Sequence, residues 1–204
     1  MTFDVGEYWE KRYRDGGNSG AGSYGRLAEF KAEVINSFID RHQIQTVLDL
    51  GCGDGNQLSL LEIPSYIGAD ISEDALERCR RRYGGDASKA FHHIEFVKPL
   101  RADLTLSLDV IYHLVTDGIY ESYMTQLFGS AKRFVMVYST NHDERGPEGW
   151  HLRHRRFTDW VRSQGGFELL EEIPNRYPPK SGGGGEASSP CSFFIFKRTS
   201  FEVE

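Results

Sequence analysis

Two acids and three glycines carry the clearest chemistry in this chain. Asp49 closes an apolar run that opens at Val47 and Leu48, and Gly51, Gly53 and Gly55 follow it at alternate positions. Asp70 closes a second short run, 21 residues after Asp49. Glycines in a turn let the backbone bend sharply and come within contact distance of a ligand. A carboxylate beside them suits a cationic amine, and a second carboxylate can accept hydrogen bonds from a ribose diol, so the ligand expected is a nucleoside that also carries an amine. The dinucleotide fingerprint fits less well: it needs G-x-G-x-x-G with a pyrophosphate at the helix N-terminus, whereas the spacing here is G-x-G-x-G with Asn56 next. His113, His142, His151 and His154 add groups whose unperturbed pKa of about 6.5 suits proton transfer. Arg153, Arg155 and Arg156 stand among the last two histidines, at the start of a predicted helix, where their charges oppose the helix dipole and invite an anion.

These residues need elements to hold them. Thr46 to Leu50 reads as a buried strand, followed by the glycine turn and a short helical pattern from Asn56 to Leu61. Before it, Leu27, Phe30, Val34 and Phe38, with Ile35 and Ile39, recur at helical spacing from Arg26 to Asp40. Ser65 to Asp70 is a second strand, and parallel strands joined by a right-handed crossover present Asp49 and Asp70 on one edge. Ser72 is a predicted N-cap for the helix carrying Ala75, Leu76, Cys79 and Tyr83. Residues 91 to 97 are a predicted third strand, in which the adjacent His92 and His93 point to opposite faces and cannot share a metal. Asp103 to Leu114 contains a strand ending near Leu108, Ile119 to Phe128 a helix with Ile119, Tyr123 and Leu127 on its stripe, and Phe134 to Tyr138 a fifth strand. A polar loop from Ser139 to Trp150 follows, then a helix burying Phe157, Trp160 and Val161. Phe167 to Ile173 and Cys191 to Arg198 read as an antiparallel hairpin across a glycine-rich, flexible loop at 178–190.

At 204 residues the chain is the size of one α/β domain, expected over 26–204. Residues 1–25 join aromatics (Tyr8, Trp9, Tyr13) to a glycine- and serine-rich stretch that is mobile unless something holds it. The net charge of −6 argues against general nucleic-acid binding. Cys52, Cys79 and Cys191 have neither zinc nor disulfide spacing, no metal site is expected, and no signal peptide or membrane span is evident, which together point to a reduced cytoplasm.

Val47-Leu-Asp-Leu-Gly-Cys-Gly-Asp-Gly55 closely resembles motif I of the class I S-adenosylmethionine-dependent methyltransferases. The resemblance implies a Rossmann-like, seven-stranded, mostly parallel sheet with helices on both faces and a reversed C-terminal pair. It also implies S-adenosylmethionine as cofactor, held by Asp49, Gly51, Cys52 and Gly53, with Asp70 on the ribose, Ile71 on the adenine and Leu108 giving backbone contacts. The side chains just after the fourth strand, Asp109, Tyr112 and His113, are expected to face the methyl group. Trp9-x-x-Arg12-Tyr13 resembles the N-terminal cap of the small-molecule members, so residues 1–25 are read as a lid and Tyr13 as a cofactor contact. The family's Asn/Asp-Pro-Pro-Tyr signature for amino nitrogens is absent, Ser107-Leu-Asp-Val110 standing in its place. The expectation is therefore O-methylation of a small anionic acceptor bound by Arg153 and Arg155, with His113 as base and His151 or His154 as alternatives. An RNA or protein methyltransferase, or a cofactor-binding regulator, are the rival readings, and the sequence does not fix an oligomeric state.

Overall fold

The computed structural model describes residues 3–98, 100–145, 150–179 and 187–199. At its centre β1 (Thr46–Leu50) pairs in parallel with β2 (Ser65–Asp70) on one side and β4 (Ala102–Leu108) on the other. A strand covered on both faces needs apolar residues at consecutive positions, and Val47, Leu48 and Leu50 are all buried. With β3 (Lys89–His93), β5 (Ala131–Ser139), β8 (Phe167–Ile173) and β9 (Ser192–Arg198), the sheet has the order β3-β2-β1-β4-β5-β9-β8. The first five strands run parallel, and β9 runs antiparallel to both β5 and β8. This is the Rossmann-like sheet with a reversed terminal pair. Its strand order turns back between β1 and β4, and the crevice at the carboxyl ends there is where such sheets bind ligands.

Among the described residues five α-helices flank it: α1 (Val5–Arg14), α2 (Gly25–His42), α3 (Glu73–Tyr83), α4 (Asp117–Gly129) and α5 (Phe157–Gln164). One apolar layer packs Ile35, Phe38 and Ile39 of α2 against Val47, Leu104, Leu106 and Met136. The opposite layer packs Tyr123, Met124 and Leu127 of α4 and Phe157 and Val161 of α5 against Leu48, Leu50, Val135 and Val137. Each fully buried side chain of this kind contributes about 1.5–3 kcal/mol. Ser72 caps α3, its Oγ accepting from the Ala75 amide at 3.3 Å, with Glu73 and Asp74 in the first turn. No helix of the described residues is long and apolar enough to cross a membrane.

The structure corrects three local expectations. The third strand starts and stops earlier than 91–97: its pairing ends at Asp70 opposite His93, and Ile94–Val97 is a 3-10 turn. That turn buries Val97 and leaves Phe96 75% exposed, so the apolar run was not a buried strand. In α4 the buried face is rotated toward Tyr120, Tyr123, Met124 and Leu127, leaving Ile119 46% exposed. Inside the expected polar loop, β6 (Glu144–Arg145) pairs antiparallel with β7 (Arg153–His154) as a short ribbon. Gly146 and Pro147 lie outside the described residues. So does the middle of the 178–190 loop, 180–186, while its far end is tied down through Ala187 O to Arg26 Nε (2.7 Å) and Ser189 O to Asn175 Nδ2 (2.7 Å).

Candidate functional site

After Leu50 the backbone turns over on Gly51 (φ +93°) and Gly53 (φ +58°). A Cβ on Gly51 would lie 2.4 Å from Val110 Cγ2, and one on Gly53 2.3 Å from Ser19 Oγ. Both positions are therefore closed to other residues by conformation and by space. The Gly51 and Cys52 amides donate to Ala69 O at 2.7 and 3.0 Å, locking the turn against β2. Cys52 is buried and bears on the cavity through its position in this turn.

Asp49 is buried in the floor, with Oδ2 accepting from Tyr66 OH at 2.8 Å and Oδ1 lacking any partner within the fold. Burial pushes its carboxyl up to about 7, against the Tyr66 hydrogen bond and the Lys31 charge. A cationic amine beside Oδ1 would satisfy the orphaned atom and restore the carboxylate. Asp70 sits across the turn. Its Oδ2 accepts from the Gly53 amide (2.8 Å) and its Oδ1 from the Ser72 amide (2.9 Å), while burial raises its pKa. Each of these oxygens keeps a second lone pair, enough for a vicinal diol. Between the acids lies a cavity of about 370 Å³ walled by Ile71, Leu108, Asp109 and His113, within the usual span for a small-molecule site. The orphaned Asp49 oxygen and the cradle that two Cβ atoms would fill both suit an amine-bearing nucleoside.

The N-terminal segment is held over this cavity, despite its glycines and serines. Tyr13 of α1 is 3% exposed, and its OH hydrogen-bonds Ser19 Oγ at 2.9 Å. Ser19 and Asp54 clasp each other through both amides (3.1 and 2.9 Å), and Tyr24 OH donates to Asp54 at 2.7 Å. Arg78 of α3 donates to the carbonyls of Tyr13 and Gly17. The polar side chains that read as linker composition are spent on these contacts.

At the other end of the cavity, Asp109 follows β4 with φ +61°, a conformation uncommon for a residue other than glycine and characteristic of functional sites. Lys31 Nζ, 1% exposed on α2, pairs with Asp109 Oδ2 at 2.8 Å, and Tyr112 OH donates to Oδ1 at 2.9 Å. His113 lines the cavity and its Nδ1 lies 3.3 Å from His151 O. A carbonyl only accepts, so Nδ1 carries the proton and Nε2 keeps its lone pair. Burial pushes the His113 imidazole down to about 4, so the pKa of 6.5 that recommends a histidine as base does not describe it in place. His151 does not line the cavity but stacks on His113 (5.9 Å) and on Tyr8 (5.5 Å). His154 turns away, hydrogen-bonded to Thr140 Oγ1 at 2.7 Å and stacked on His142.

Arg153 and Arg155 are engaged internally. Both pair with Asp117 (2.8 and 3.2 Å), and they donate to the carbonyls of Val115 and Leu114. Arg155 also lies 4.3 Å from the centre of the Tyr120 ring. The anion that offsets this cationic run is thus the chain's own carboxylate and carbonyls. Lys31 was missed by the sequence reading, although it falls on the apolar stripe at i+4 from Leu27 and i−4 from Ile35, where a lysine demands a buried partner. Tyr66, the donor to Asp49, looked like an ordinary strand residue. Among the described residues no group of three or more His, Cys, Asp or Glu side chains is placed to hold a metal ion.

The sequence profile of the mRNA (guanine-N(7))-methyltransferase domain family matches residues 28–146. A mouse small RNA 2'-O-methyltransferase is 35% identical over 91 residues, 43% of this chain and 21% of the relative. An mRNA cap guanine-N(7) methyltransferase of Arabidopsis thaliana is 43% identical over 58 residues, 27% of this chain and 16% of the relative. The chain therefore spans about a fifth of the length of these relatives. The N-methyltransferase NodS from Bradyrhizobium japonicum, solved with S-adenosyl-L-homocysteine, superimposes with a TM-score of 0.71 at 11% identity, covering 96% of this chain and 99% of that one, a likeness of fold. These findings overturn the expectation of a small, anionic acceptor and of no nucleic-acid binding, because the matched family and relatives are RNA methyltransferases. The net charge that argued against nucleic acid is a sum over the whole surface and does not report local basic patches. By the profile match over more than half its length, the chain belongs to the mRNA (guanine-N(7))-methyltransferase domain family, whose members are class I methyltransferases that use S-adenosylmethionine.

Proposed function

We propose that this methyltransferase acts on RNA and places the methyl group on a ribose hydroxyl. RNA as the acceptor rests on the family match across both ends of the site, residues 28–146 including Asp49 and Asp70 as well as Lys31, Asp109, Tyr112 and His113. The longer relative alignment, to a small RNA 2'-O-methyltransferase, favours oxygen. A nucleotide acceptor is supported by the aromatic cluster of Tyr8, His151 and the half-exposed Trp150, which packs against the cavity-lining Trp9 and His113, since unstacked bases bind such surfaces.

In this reading Asp49 holds the cofactor's amine, Asp70 its ribose, Ile71 its adenine and Leu108 the floor between them, with Gly51, Cys52 and Gly53 bending around it and Tyr13 closing over it. When bound, S-adenosylmethionine supplies an electrophilic methyl group on a sulfonium. Lys31, Asp109 and Tyr112 fix the turn that carries His113. Nε2 of the neutral His113 takes the proton that the ribose hydroxyl gives up, and water at the mouth carries it away. Residues 1–25 act as the lid of a domain formed by the remainder.

The family match favours a second reading, methylation of guanine N7, a lone pair that needs no base. Transfer of labelled methyl to RNA, followed by digestion to nucleosides, separates the two. Label in 2'-O-methylnucleosides is the expected result, label in 7-methylguanosine moves the assignment to the second reading, and no label in RNA overturns both.

A further inference from the structure

A second cavity, of about 540 Å³, lies at the opposite edge of the sheet from the cofactor cradle. It is built where β5 begins, β9 ends and α2 ends, and its walls carry Lys132, Arg133, Lys197, Arg198 and His42 around Phe134 and Leu170. In a chain of net charge −6, four cations in one groove require an explanation. Among the described residues none of the four forms an ion pair with a carboxylate. Arg133 donates to His42 O (3.1 Å), and Arg198 to Phe128 O (3.1 Å) and Ala131 O (2.7 Å). Those carbonyls orient the guanidinium groups without neutralising them. Glu171 pairs with Arg41 at 3.6 Å, Asp103 accepts from the Gln45 and Thr46 amides and also feels the Lys132 charge, and Glu168 sits opposite Lys197 on the edge strand, so the two lysines face a carboxylate without forming a close ion pair with it. Burial and the neighbouring Arg101 both lower the Arg198 pKa, and its packing against like charge leaves room for a counter-charge.

We propose that this groove is a distal contact for the phosphate backbone of the RNA acceptor, engaging a segment several nucleotides away from the one that is methylated. It rests on the RNA reading above. Charge complementarity names the occupant, because four cations gathered in one groove with no close ion pair among them suit a polyanion. The span is set by the sheet: β4 has seven residues, so the groove and the cradle are about 20 Å apart at 3.3 Å per residue. That is about six stacked nucleotide steps of 3.4 Å, and a path around the surface is longer. A trinucleotide cannot reach both places, whereas a 20-mer can.

The test is fluorescence titration of a labelled single-stranded RNA 20-mer and a trinucleotide, with S-adenosylhomocysteine present, against wild type and Lys132→Glu/Lys197→Glu. A Lys132→Gln/Lys197→Gln chain, neutral and less disruptive to folding, is the companion. Wild type should bind the 20-mer more tightly than the trinucleotide, and both variants should lose that gain. The charge reversal should raise the Kd for the 20-mer by about tenfold at 50 mM salt and flatten the dependence of log K on log salt by about 1–2, since each phosphate contact contributes about 0.7. Equal 20-mer affinity and equal salt slope in wild type and both variants, with wild type still methylating RNA, would overturn the groove alone. A wild type that neither binds nor methylates RNA would overturn the groove and the RNA reading together.

Discussion

The two ends of the candidate-site cavity are built on opposite terms. At the proposed cofactor end, backbone does most of the work: two positive-φ glycines and amides onto Ala69 O and Asp70 fix the shape. At the proposed acceptor end, side chains do it: a buried lysine, a carboxylate on a strained turn, a phenol and a neutral imidazole. A backbone cradle is written as a contiguous motif, because glycine is needed wherever the chain must bend or come close. A side-chain constellation draws single residues from α2, the end of β4 and the ribbon, and leaves little trace in any one stretch. The first arrangement suits a ligand common to a family, and the second suits an acceptor that differs between members.

The sharpest break of that contrast is Lys31→Ala. It leaves Asp109 without its partner in a largely buried position and should cost about 3–5 kcal/mol of stability, read by denaturant unfolding. Lys31→Met with Asp109→Asn removes both charges, so it should recover most of the stability while turnover stays low. Recovery of both would show the pair to be merely structural.

His113→Ala comes next and tests the acceptor end alone. Turnover on a ribose hydroxyl should fall by about 10²–10⁴-fold, the usual contribution of a general base, as measured by single-turnover methyl transfer. A loss of less than about tenfold would favour guanine N7 as the acceptor atom, since that nucleophile has no proton to lose. Because burial holds the imidazole near 4, the residue is neutral above about pH 5, and no inflection from it is expected between pH 6 and 8.

A smaller effect sits at the cofactor end. Asp49 has its pKa raised to about 7 by burial, so its neutral form is the one favoured by folding. Free protein should lose stability as pH climbs from the unfolded value of about 4 toward 7, because ionisation then costs more in the fold than outside it. An amine ligand reverses the preference. Cofactor affinity should rise about tenfold per pH unit up to about 7 and then level off, with proton release on binding below that pH, one tenfold step being about 1.4 kcal/mol. Asp49→Asn should bind with a flat profile, and a slope retained in that variant would move the titration to another group.

Tyr13→Phe should have the least effect, about 1 kcal/mol, by removing one neutral hydrogen bond to Ser19. Hydrogen exchange across residues 3–25, with and without S-adenosylhomocysteine, reads it directly. Protection that ligand leaves unchanged in wild type would remove the lid from the account.

The contrast also explains what the sequence made legible. The central strands and the glycine turn could be read because burial on both faces forces consecutive apolar residues and close approach forces glycine. The hairpin of β8 and β9 was legible from two strand patterns with no helix between them. The 94–97 turn was not, because Ile94 and Val97 look alike in a strand and in a 3-10 turn, and only the end of pairing at His93 decides. The ribbon of β6 and β7 rests on a two-residue ladder, too short to leave a period. Arg153 and Arg155 looked free for an anionic acceptor because nothing local shows that Asp117, 36 and 38 residues earlier, comes back to meet them.

The most direct measurement is calorimetric titration of S-adenosylhomocysteine into wild type, Asp70→Ala and His113→Ala under one set of conditions. Asp70→Ala should weaken binding by about 1.5–3 kcal/mol, the scale of hydrogen bonds to a charged group, while His113→Ala stays within about 0.5 kcal/mol of wild type, as for a side chain outside the cofactor's contacts. Unchanged affinity in Asp70→Ala, or equal losses in the two variants, would contradict the division of the cavity into a cofactor end and an acceptor end.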